Sequence, residues 1–134
     1  IVGLECAVML GMEGKSVTVI DQIPLEKFAD GFPVFNHIEL NYQLEKYGVK
    51  LVGSEKIAAF TDAGLKTVAP DGSEKEYSAD TCVLALGVKP DNKLAQELLS
   101  RYAEGVYVVG DCVSTGRVLA DANQEAFHAA IRIR

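Results

Sequence analysis

The chain has 134 residues, of which 49% are apolar and 24% are charged, and its formal net charge at pH 7 is −6. These proportions are ordinary for a globular protein and differ from those of low-complexity or collagen-like chains. The acidic charge balance argues against nucleic acid as a partner, because non-specific binding requires a basic surface. No apolar run approaches the roughly 20 residues of a membrane span. We therefore expect a cytoplasmic protein that has no signal peptide and no membrane partner.

The cysteines and histidines are too few and too scattered for a structural zinc site. Cys82 lies in an apolar stretch and is expected to be a small core residue. Nothing near Cys112 marks it as a redox thiol. We therefore predict no metal site in this chain.

The first segment predicts a helix that runs to about Met12, followed by a strand from Ser16 to Asp21. This order is the second half of a dinucleotide-binding βαβ unit, with Gly3 as the third glycine of the G-x-G-x-x-G fingerprint and Ala7 as a small packing residue. The first strand and the first two glycines are absent. We therefore expect the chain to be truncated inside a domain.

Asp21 closes the predicted strand, where the fingerprint places an acidic residue that accepts hydrogen bonds from the adenosine ribose. No Arg follows within the next several residues to bind a 2′-phosphate, so the sequence favours NADH over NADPH. The alternative interpretation is an Asp that only ends a strand.

The middle of the chain predicts one helix and a β-meander. After a loop with Pro24 and Pro33, a helix is expected from about Asn36 to Tyr47, with Ile38, Leu40 and Leu44 on its apolar side. A short strand over 49–52 follows, and turn signals then separate three further short strands near 55–60, 65–68 and 74–77. The pattern predicts an antiparallel meander inserted in a parallel sheet.

The next apolar run, Thr81 to Leu86, predicts a buried strand that ends at Gly87, with Pro90 close behind. Such an ending is typical of a crossing point between domains. Gly87 either lets the backbone pass close to a bound nucleotide or simply ends the strand. A short surface helix is expected from Lys93 to Tyr102.

The last predicted strand, 106–109, ends in the turn Gly110-Asp111, and an Ala-rich helix follows from Val118 to Ile133. Asp111 would accept hydrogen bonds from two hydroxyls of a sugar or sugar alcohol, although a plain strand-end turn is an equal alternative. The free N–H groups of the helix start suit an electron-rich ring edge such as that of a flavin. The helical face is expected to carry Leu119, Ala122, Ala126, Ala130 and Ile133.

Taken together, these motifs resemble the flavoprotein oxidoreductases that contain two dinucleotide-binding domains. The residues that carry the resemblance are Gly-Leu-Glu-x-Ala from Gly3, Ala-Leu-Gly-Val-Lys-Pro from Ala85, and Val-Tyr-Val-Val-Gly-Asp-Cys from Val106. The resemblance implies an α/β fold with a Rossmann-like parallel sheet and an inserted antiparallel meander. Residues 1–88 would form an NADH-binding domain that lacks its first strand, and residues 89–134 the C-terminal part of an FAD-binding domain.

The resemblance also implies roles for single residues. Gly3 would lie near the NADH pyrophosphate, and Asp21 would bind the adenosine ribose. Glu5 would lie near the nicotinamide, unless it is only a surface residue. Asp111 would bind the FAD ribitol, and the backbone of Val118 and Leu119 would face the flavin pyrimidine edge. No catalytic acid or base can be named.

Within that superfamily, the ending resembles the NADH:flavin oxidoreductases of the 2,4-dienoyl-CoA reductase and 2-enoate reductase kind. In such proteins a barrel of the old yellow enzyme type, with FMN and an iron–sulfur cluster, precedes this region. The implied function is hydride transfer from NADH to FAD, which in the parent protein would feed reduction of an activated C=C bond in a small-molecule acceptor.

Two alternatives remain open. The first is a relative on the same scaffold, an FAD-dependent NADH oxidase or a disulfide or ferredoxin reductase. The second is an isolated domain without activity of its own, whose exposed strand edges would make it self-associate, for example as a homodimer.

Overall fold

The computed structural model describes residues 1–102, 104–115 and 118–133. The chain forms two compact units, Ile1–Ala85 and Leu86–Arg134. No helix within the described ranges is long and apolar enough to cross a membrane.

The first unit begins with a helix–strand–helix–strand segment. Helix α1 (Val2–Met12) leads to strand β1 (Thr18–Ile20), and helix α2 (Val34–Lys46) leads to strand β2 (Lys50–Val52). The two strands pair in parallel, with Val19 opposite Leu51. The predicted α/β class and the order of these elements are confirmed.

The core of this unit lies between the two helices and the parallel strands. Leu4 and Ala7 of α1 and Leu40 and Leu44 of α2 are all buried, which confirms the packing role predicted for Ala7. Ile38 was expected on the same apolar side of α2, but 61% of its surface is exposed, because the inward face follows the spacing of Leu40 and Leu44. Two loop residues that the sequence did not indicate, Phe28 and Ala29, complete the core.

The predicted meander is confirmed as a separate three-stranded antiparallel sheet. It contains strands β3 (Lys56–Thr61), β4 (Gly64–Val68) and β5 (Glu74–Ser78), in that spatial order. The pairing of β3 with β4 shifts register between Ile57 and Ala59, which is a β-bulge. In the second pair, Thr67 of β4 lies opposite Lys75 of β5.

Two predicted strands are absent from the described part of the chain. Residues 81–87 and 106–109 belong to no strand, although Val109 is extended, with φ −139° and ψ 157°. The physical reason is that a strand requires a hydrogen-bonded neighbour, and neither of the two described sheets provides one for these segments. Cys82 is consequently exposed, and the prediction that it is a core residue was wrong.

The second unit contains helices α3 (Lys93–Arg101) and α4 (Leu119–Ala130). The residues of α4 with half-buried surface are Asp121, Ala122, Glu125 and Ala129. Of the residues predicted to share one face of this helix, Ala122 is half-buried, whereas four are exposed: Leu119, Ala126, Ala130 and Ile133. The half-buried face of α4 is therefore rotated by about one residue from the predicted face. The reason is that Glu125 lies against the segment that precedes this helix, where it accepts a hydrogen bond from the N–H of Gly110.

Candidate functional site

Asp21 lies at the carboxyl end of β1 and is exposed. Its backbone N–H donates to the carbonyl of Val52 at 3.0 Å, and its carbonyl accepts from the N–H of Glu55 at 3.1 Å. Its Oδ1 atom accepts from the N–H of Ile23 at 3.2 Å. The backbone of this residue is thus fixed, and its carboxylate remains accessible at the edge of the parallel sheet where dinucleotides bind.

The segment after β2 lies directly against the turn that carries Asp21. The N–H of Ser54 donates to the carbonyl of Ile23 at 2.8 Å. A Cβ atom at Gly53 would lie 2.6 Å from the backbone nitrogen of Leu25, so only glycine fits there. Ser54 has a φ of 62°, a left-handed conformation that is uncommon for a residue with a side chain.

Glu55, the next residue, has a buried carboxylate that the sequence did not indicate as important. Only 3% of its surface is exposed. Its oxygens accept hydrogen bonds from Thr67 Oγ1 at 2.6 Å and Lys75 Nζ at 2.6 Å, and Tyr77 OH lies 2.9 Å and 3.1 Å from them. The four residues form what we call the Glu55 cluster.

The cluster changes the acidity of its members. Hydrogen bonds from Lys75, and then from Thr67, lower the pKa of Glu55, although burial opposes them. The hydrogen bond to Glu55 raises the pKa of Lys75, and burial together with the same carboxylate raises the pKa of Tyr77. Glu55 is therefore ionised at neutral pH, and both of its carboxylate oxygens already accept hydrogen bonds within the cluster. This arrangement suits a structural role.

The cluster could have been anticipated from strand periodicity. Lys75 and Tyr77 are two positions apart on β5 and so share one face, and Thr67 lies opposite Lys75. Three polar side chains on one face of a meander indicate that a buried acceptor lies above them. Nothing in the sequence names Glu55 as that acceptor, since it precedes β3.

Gly3 lies in the first turn of α1, and Ala85 occupies the space that a side chain at this position would need. A Cβ atom built at this position would lie 3.0 Å from the Cβ of Ala85. This contact is the close helix packing that the third glycine of the dinucleotide fingerprint permits. The structure thus gives Gly3 a packing role, and its proximity to the NADH pyrophosphate stays a prediction.

Glu5 lies two residues after Gly3 on α1, and its side chain is exposed on the side of this helix that faces α2. It lines an open groove of about 460 Å³ together with Val8, Phe32, Phe35, Asn36, Glu39, Leu40 and Gln43. Glu39 accepts a hydrogen bond from Gln43 in the same groove. The carboxylate of Glu5 is therefore accessible, and its acidic neighbour makes this groove unsuitable for a phosphate.

In the second unit, the turn at Gly110 and Asp111 is held by α4. The N–H of Gly110 donates to Glu125 Oε2 at 2.8 Å. Gly110 has a φ of 76°, and no atom of the described residues beyond its chain neighbours lies within 4 Å of a Cβ built on it, so a ligand could approach its backbone closely. Asp111 is exposed at this turn.

The start of α4 lies in the same unit. The N–H of Val118 donates to Asp121 Oδ2 at 3.1 Å, which caps the helix. That donor is therefore engaged within the helix, and the N–H of Asp121 likewise donates to the carbonyl of Val118 at 3.0 Å. The predicted contact of this backbone with a flavin would therefore fall to the N–H groups of Leu119 and Ala120, the first two of the helix. Gly87, also in this unit, has a φ of 77° and open space around it.

Glu125 is the residue of this unit that the sequence analysis missed. It lies with Ala129 on the half-buried side of α4 and helps to line a groove of about 330 Å³ beside the extended segment 106–109. The only sequence signal is its position as an acidic residue between small residues on one helical face.

Three features correspond to the predicted nucleotide contacts. The first unit has an accessible Asp after a parallel strand and a glycine in the first turn of α1. The second unit has an Asp at a glycine turn before a helix. The sequence as a whole matches the pyridine nucleotide-disulphide oxidoreductase family over residues 1–131. The chain belongs to this family. Membership implies FAD and NAD(P)H as cofactors and oxidoreduction as the chemistry, and it leaves the electron acceptor open.

Two curated relatives of this chain carry the names of different enzymes. The chain is 26% identical over 133 residues to a nitric oxide reductase FlRd-NAD(+) reductase of Vibrio vulnificus, covering 89% of this chain and 35% of the relative. It is 32% identical over 137 residues to an NADH oxidase of Methanocaldococcus jannaschii, covering 84% of this chain and 28% of the relative. The chain therefore spans about a third of the length of these relatives.

A solved structure matches the fold over nearly the whole chain. A 2-naphthoyl-CoA reductase in complex with 2-naphthoyl-CoA superposes with a TM-score of 0.79 and 25% sequence identity, covering 98% of this chain and 19% of that one. This similarity agrees with the α/β fold class expected from the sequence.

Proposed function

We propose that residues 1–134 act within a longer flavoprotein that uses NADH to reduce a conjugated C=C bond of an acyl thioester or carboxylic acid. The observation that carries this proposal is the likeness of 98% of the chain to a 2-naphthoyl-CoA reductase. The motifs that begin at Ala85 and at Val106 resemble those of dienoyl-CoA and enoate reductases, and this resemblance supports the proposal independently. FMN and an iron–sulfur cluster would then be bound outside these residues.

The described residues would bind and orient the nucleotides. Asp21 would accept hydrogen bonds from the adenosine ribose of NADH, with the start of α1 near the pyrophosphate. Glu5 would lie near the nicotinamide, where a carboxylate stabilises the positive charge of the oxidised ring. FAD, when bound, would accept a hydride from NADH.

In the second unit, Asp111 would bind the FAD ribitol and Gly110 would allow its backbone to come close. The first turn of α4, from Leu119, would face the pyrimidine edge of the flavin. Glu125 would hold this turn in place through the N–H of Gly110. Gly87 would lie near the bound nucleotide.

The preference for NADH over NADPH rests on the surroundings of Asp21. An accessible carboxylate repels a 2′-phosphate, and the first basic residue after it, Lys27, lies 3.5 Å from the carboxylate of Asp30. That pairing leaves Lys27 poorly placed to neutralise a phosphate. The cofactor preference is therefore part of the proposal.

A second candidate function is an FAD-dependent NADH oxidase or a reductase of a protein electron carrier. The observations that favour it are the 32% identity to an NADH oxidase and the 26% identity to a FlRd-NAD(+) reductase. Such an enzyme would contain FAD alone. The nucleotide roles of Asp21 and Asp111 would be the same in both candidates.

The deciding experiment is a cofactor inventory of the complete polypeptide that carries these residues. Flavins released by acid are separated by chromatography, and iron and sulfide are assayed on the same sample. FAD, FMN and a cluster together would support the C=C reductase, and activity would then be measured with unsaturated thioesters and acids. FAD alone would overturn it in favour of the second candidate.

A further inference from the structure

The antiparallel sheet is connected to the Asp21 turn through one residue. The N–H of Glu55 donates to the carbonyl of Asp21 at 3.1 Å, and the side chain of Glu55 is held by β4 and β5. The same residue therefore contacts the nucleotide-binding turn with its backbone and the meander with its carboxylate.

We propose that Glu55 is a positioning residue for the nucleotide site: the hydrogen bonds that β4 and β5 donate to its carboxylate fix the backbone N–H that orients Asp21. This inference rests on the proposed role of Asp21 as a ribose ligand. It gives the meander a function in cofactor recognition, although no residue of β3, β4 or β5 is expected to touch the nucleotide.

The geometry between the two residues leaves little freedom. Gly53 lies against the backbone of Ile23 and Leu25, and Ser54 has a left-handed backbone whose N–H also holds Ile23. A strained conformation of this kind persists only when the structure on both sides determines it. The Asp21 turn supplies one side, and the Glu55 cluster supplies the other.

The burial pattern agrees with a positioning role. Glu55 is 3% exposed, whereas the side chain of its partner Lys75 is 51% exposed. Every donor in the cluster points at Glu55 from β4 or β5. If the carboxylate lost these donors, residues 53–55 could move, and the carbonyl of Asp21 would lose its fixed donor.

The test uses the complete polypeptide with ferricyanide as the electron acceptor, so that the natural substrate is not needed. The variants are Glu55→Gln, Asp21→Ala, their combination, and Glu76→Gln as the matched control. Glu76 is an exposed carboxylate on β5 that accepts a hydrogen bond from Thr61 at 3.4 Å and does not belong to the Glu55 cluster. KM and kcat are measured with NADH and with reduced nicotinamide mononucleotide, which lacks the adenosine ribose.

We expect Glu55→Gln to raise KM for NADH about fivefold to tenfold, with kcat nearly unchanged and no effect on the mononucleotide. In the Asp21→Ala background the same substitution should have no further effect, because Glu55 acts through Asp21. Glu76→Gln should match the wild type. An unchanged KM in Glu55→Gln, or an equal rise for NADH and the mononucleotide, would overturn the inference.

Two further results keep the test decisive. If Glu55→Gln does not fold, Tyr77→Phe replaces it: this variant keeps the carboxylate and its partner Lys75, and a rise of about twofold to threefold in KM for NADH supports the proposal whereas no rise overturns it. If Asp21→Ala itself leaves KM for NADH unchanged, the ribose role of Asp21 fails. If Asp21→Ala raises KM for NADH and Glu55→Gln does not, the ribose role of Asp21 stands and only the positioning role of Glu55 is overturned.

Discussion

The carboxylates of this chain differ in what surrounds them. Glu55 is buried and accepts from three side chains, whereas Asp21 and Asp111 are exposed at turns. A carboxylate with accessible oxygens can bind the hydroxyls of a ligand, and one whose oxygens are occupied can only hold its neighbours. The contrast supports ligand-binding roles for the two Asp residues and a positioning role for Glu55.

For Asp111, we expect substitution by Ala to weaken FAD binding in the complete polypeptide at least tenfold, because hydrogen bonds from the ribitol to a charged acceptor would be lost. The fold should remain, since the side chain is exposed. Flavin absorbance per polypeptide after dialysis measures the effect, and thermal unfolding checks the fold. Asp91→Ala, an exposed Asp of the same unit, is the control, and equal flavin content in both variants would defeat the assignment.

For Gly3, we expect substitution by Val to destabilise the first unit by about 1–3 kcal/mol, because the new side chain would overlap Ala85. Urea unfolding measures the change. In an Ala85→Gly background the same substitution should cost less, since the opposing methyl group is gone. An equal cost in both backgrounds would show that this contact is not what requires glycine.

The secondary-structure elements that could be predicted are those whose stabilising contacts lie close in sequence. Helices α1 and α2 and the three strands of the meander were predictable because turn signals, apolar periodicity and neighbouring partners all lie close in sequence. The segments 81–87 and 106–109 have the composition of strands but no described partner, and composition does not reveal pairing. The Glu55 cluster was predictable only in part: strand periodicity places its three donors on one face of the meander, but their acceptor lies up to 22 positions away in sequence and no local signal identifies it.

The Glu55 cluster also makes the stability of the meander dependent on pH. Hydrogen bonds from Lys75 lower the pKa of Glu55 below its ordinary value of 4.5. A carboxyl with a lowered pKa contributes stability above its unfolded-state pKa and loses it as the pH falls through its folded-state pKa. The free energy of unfolding should therefore decline on acidification below about pH 4.5.

To test this dependence, urea unfolding of the wild type and Glu55→Gln is compared at pH 7 and near pH 3. At pH 7 the variant should be less stable by about 1–3 kcal/mol, since Thr67 and Tyr77 lose a charged acceptor. The difference should shrink as the pH falls through the folded-state pKa of Glu55, because the wild-type carboxyl then takes up a proton. A difference that is constant with pH would mean that the charge of Glu55 contributes nothing.

On the scale of the whole molecule, the chain has much apolar surface that no described element covers. In the first unit, Val83 and Leu84 are 60% and 62% exposed in a segment without strand pairing. Such a segment combines free backbone hydrogen-bonding groups with apolar side chains, which is the combination that promotes edge-to-edge association. The net charge of −6 opposes association only weakly at physiological salt.

We therefore expect the 134-residue polypeptide to self-associate, with a mass by light scattering that rises with concentration above the 14.4 kDa of one chain. Leu84→Lys should lower this mass by placing a charge in the unpaired segment. Ile38→Lys is the matched control, because Ile38 is 61% exposed but lies on α2, where backbone groups are already bonded. A monomer at every concentration, or an equal effect of both substitutions, would contradict the expectation.

Cys82 adds a consequence of its own, because it belongs to this same uncovered segment and its thiol is exposed, whereas Cys6 and Cys112 are half-buried. Alkylating reagents should modify it first wherever the segment is open to solvent. Once neighbouring backbone, from a second copy or from the rest of a longer polypeptide, lies over residues 81–87, the reaction should slow. The chain thus carries an intrinsic footprinting probe, at the position where coverage by another strand can be followed by mass spectrometry.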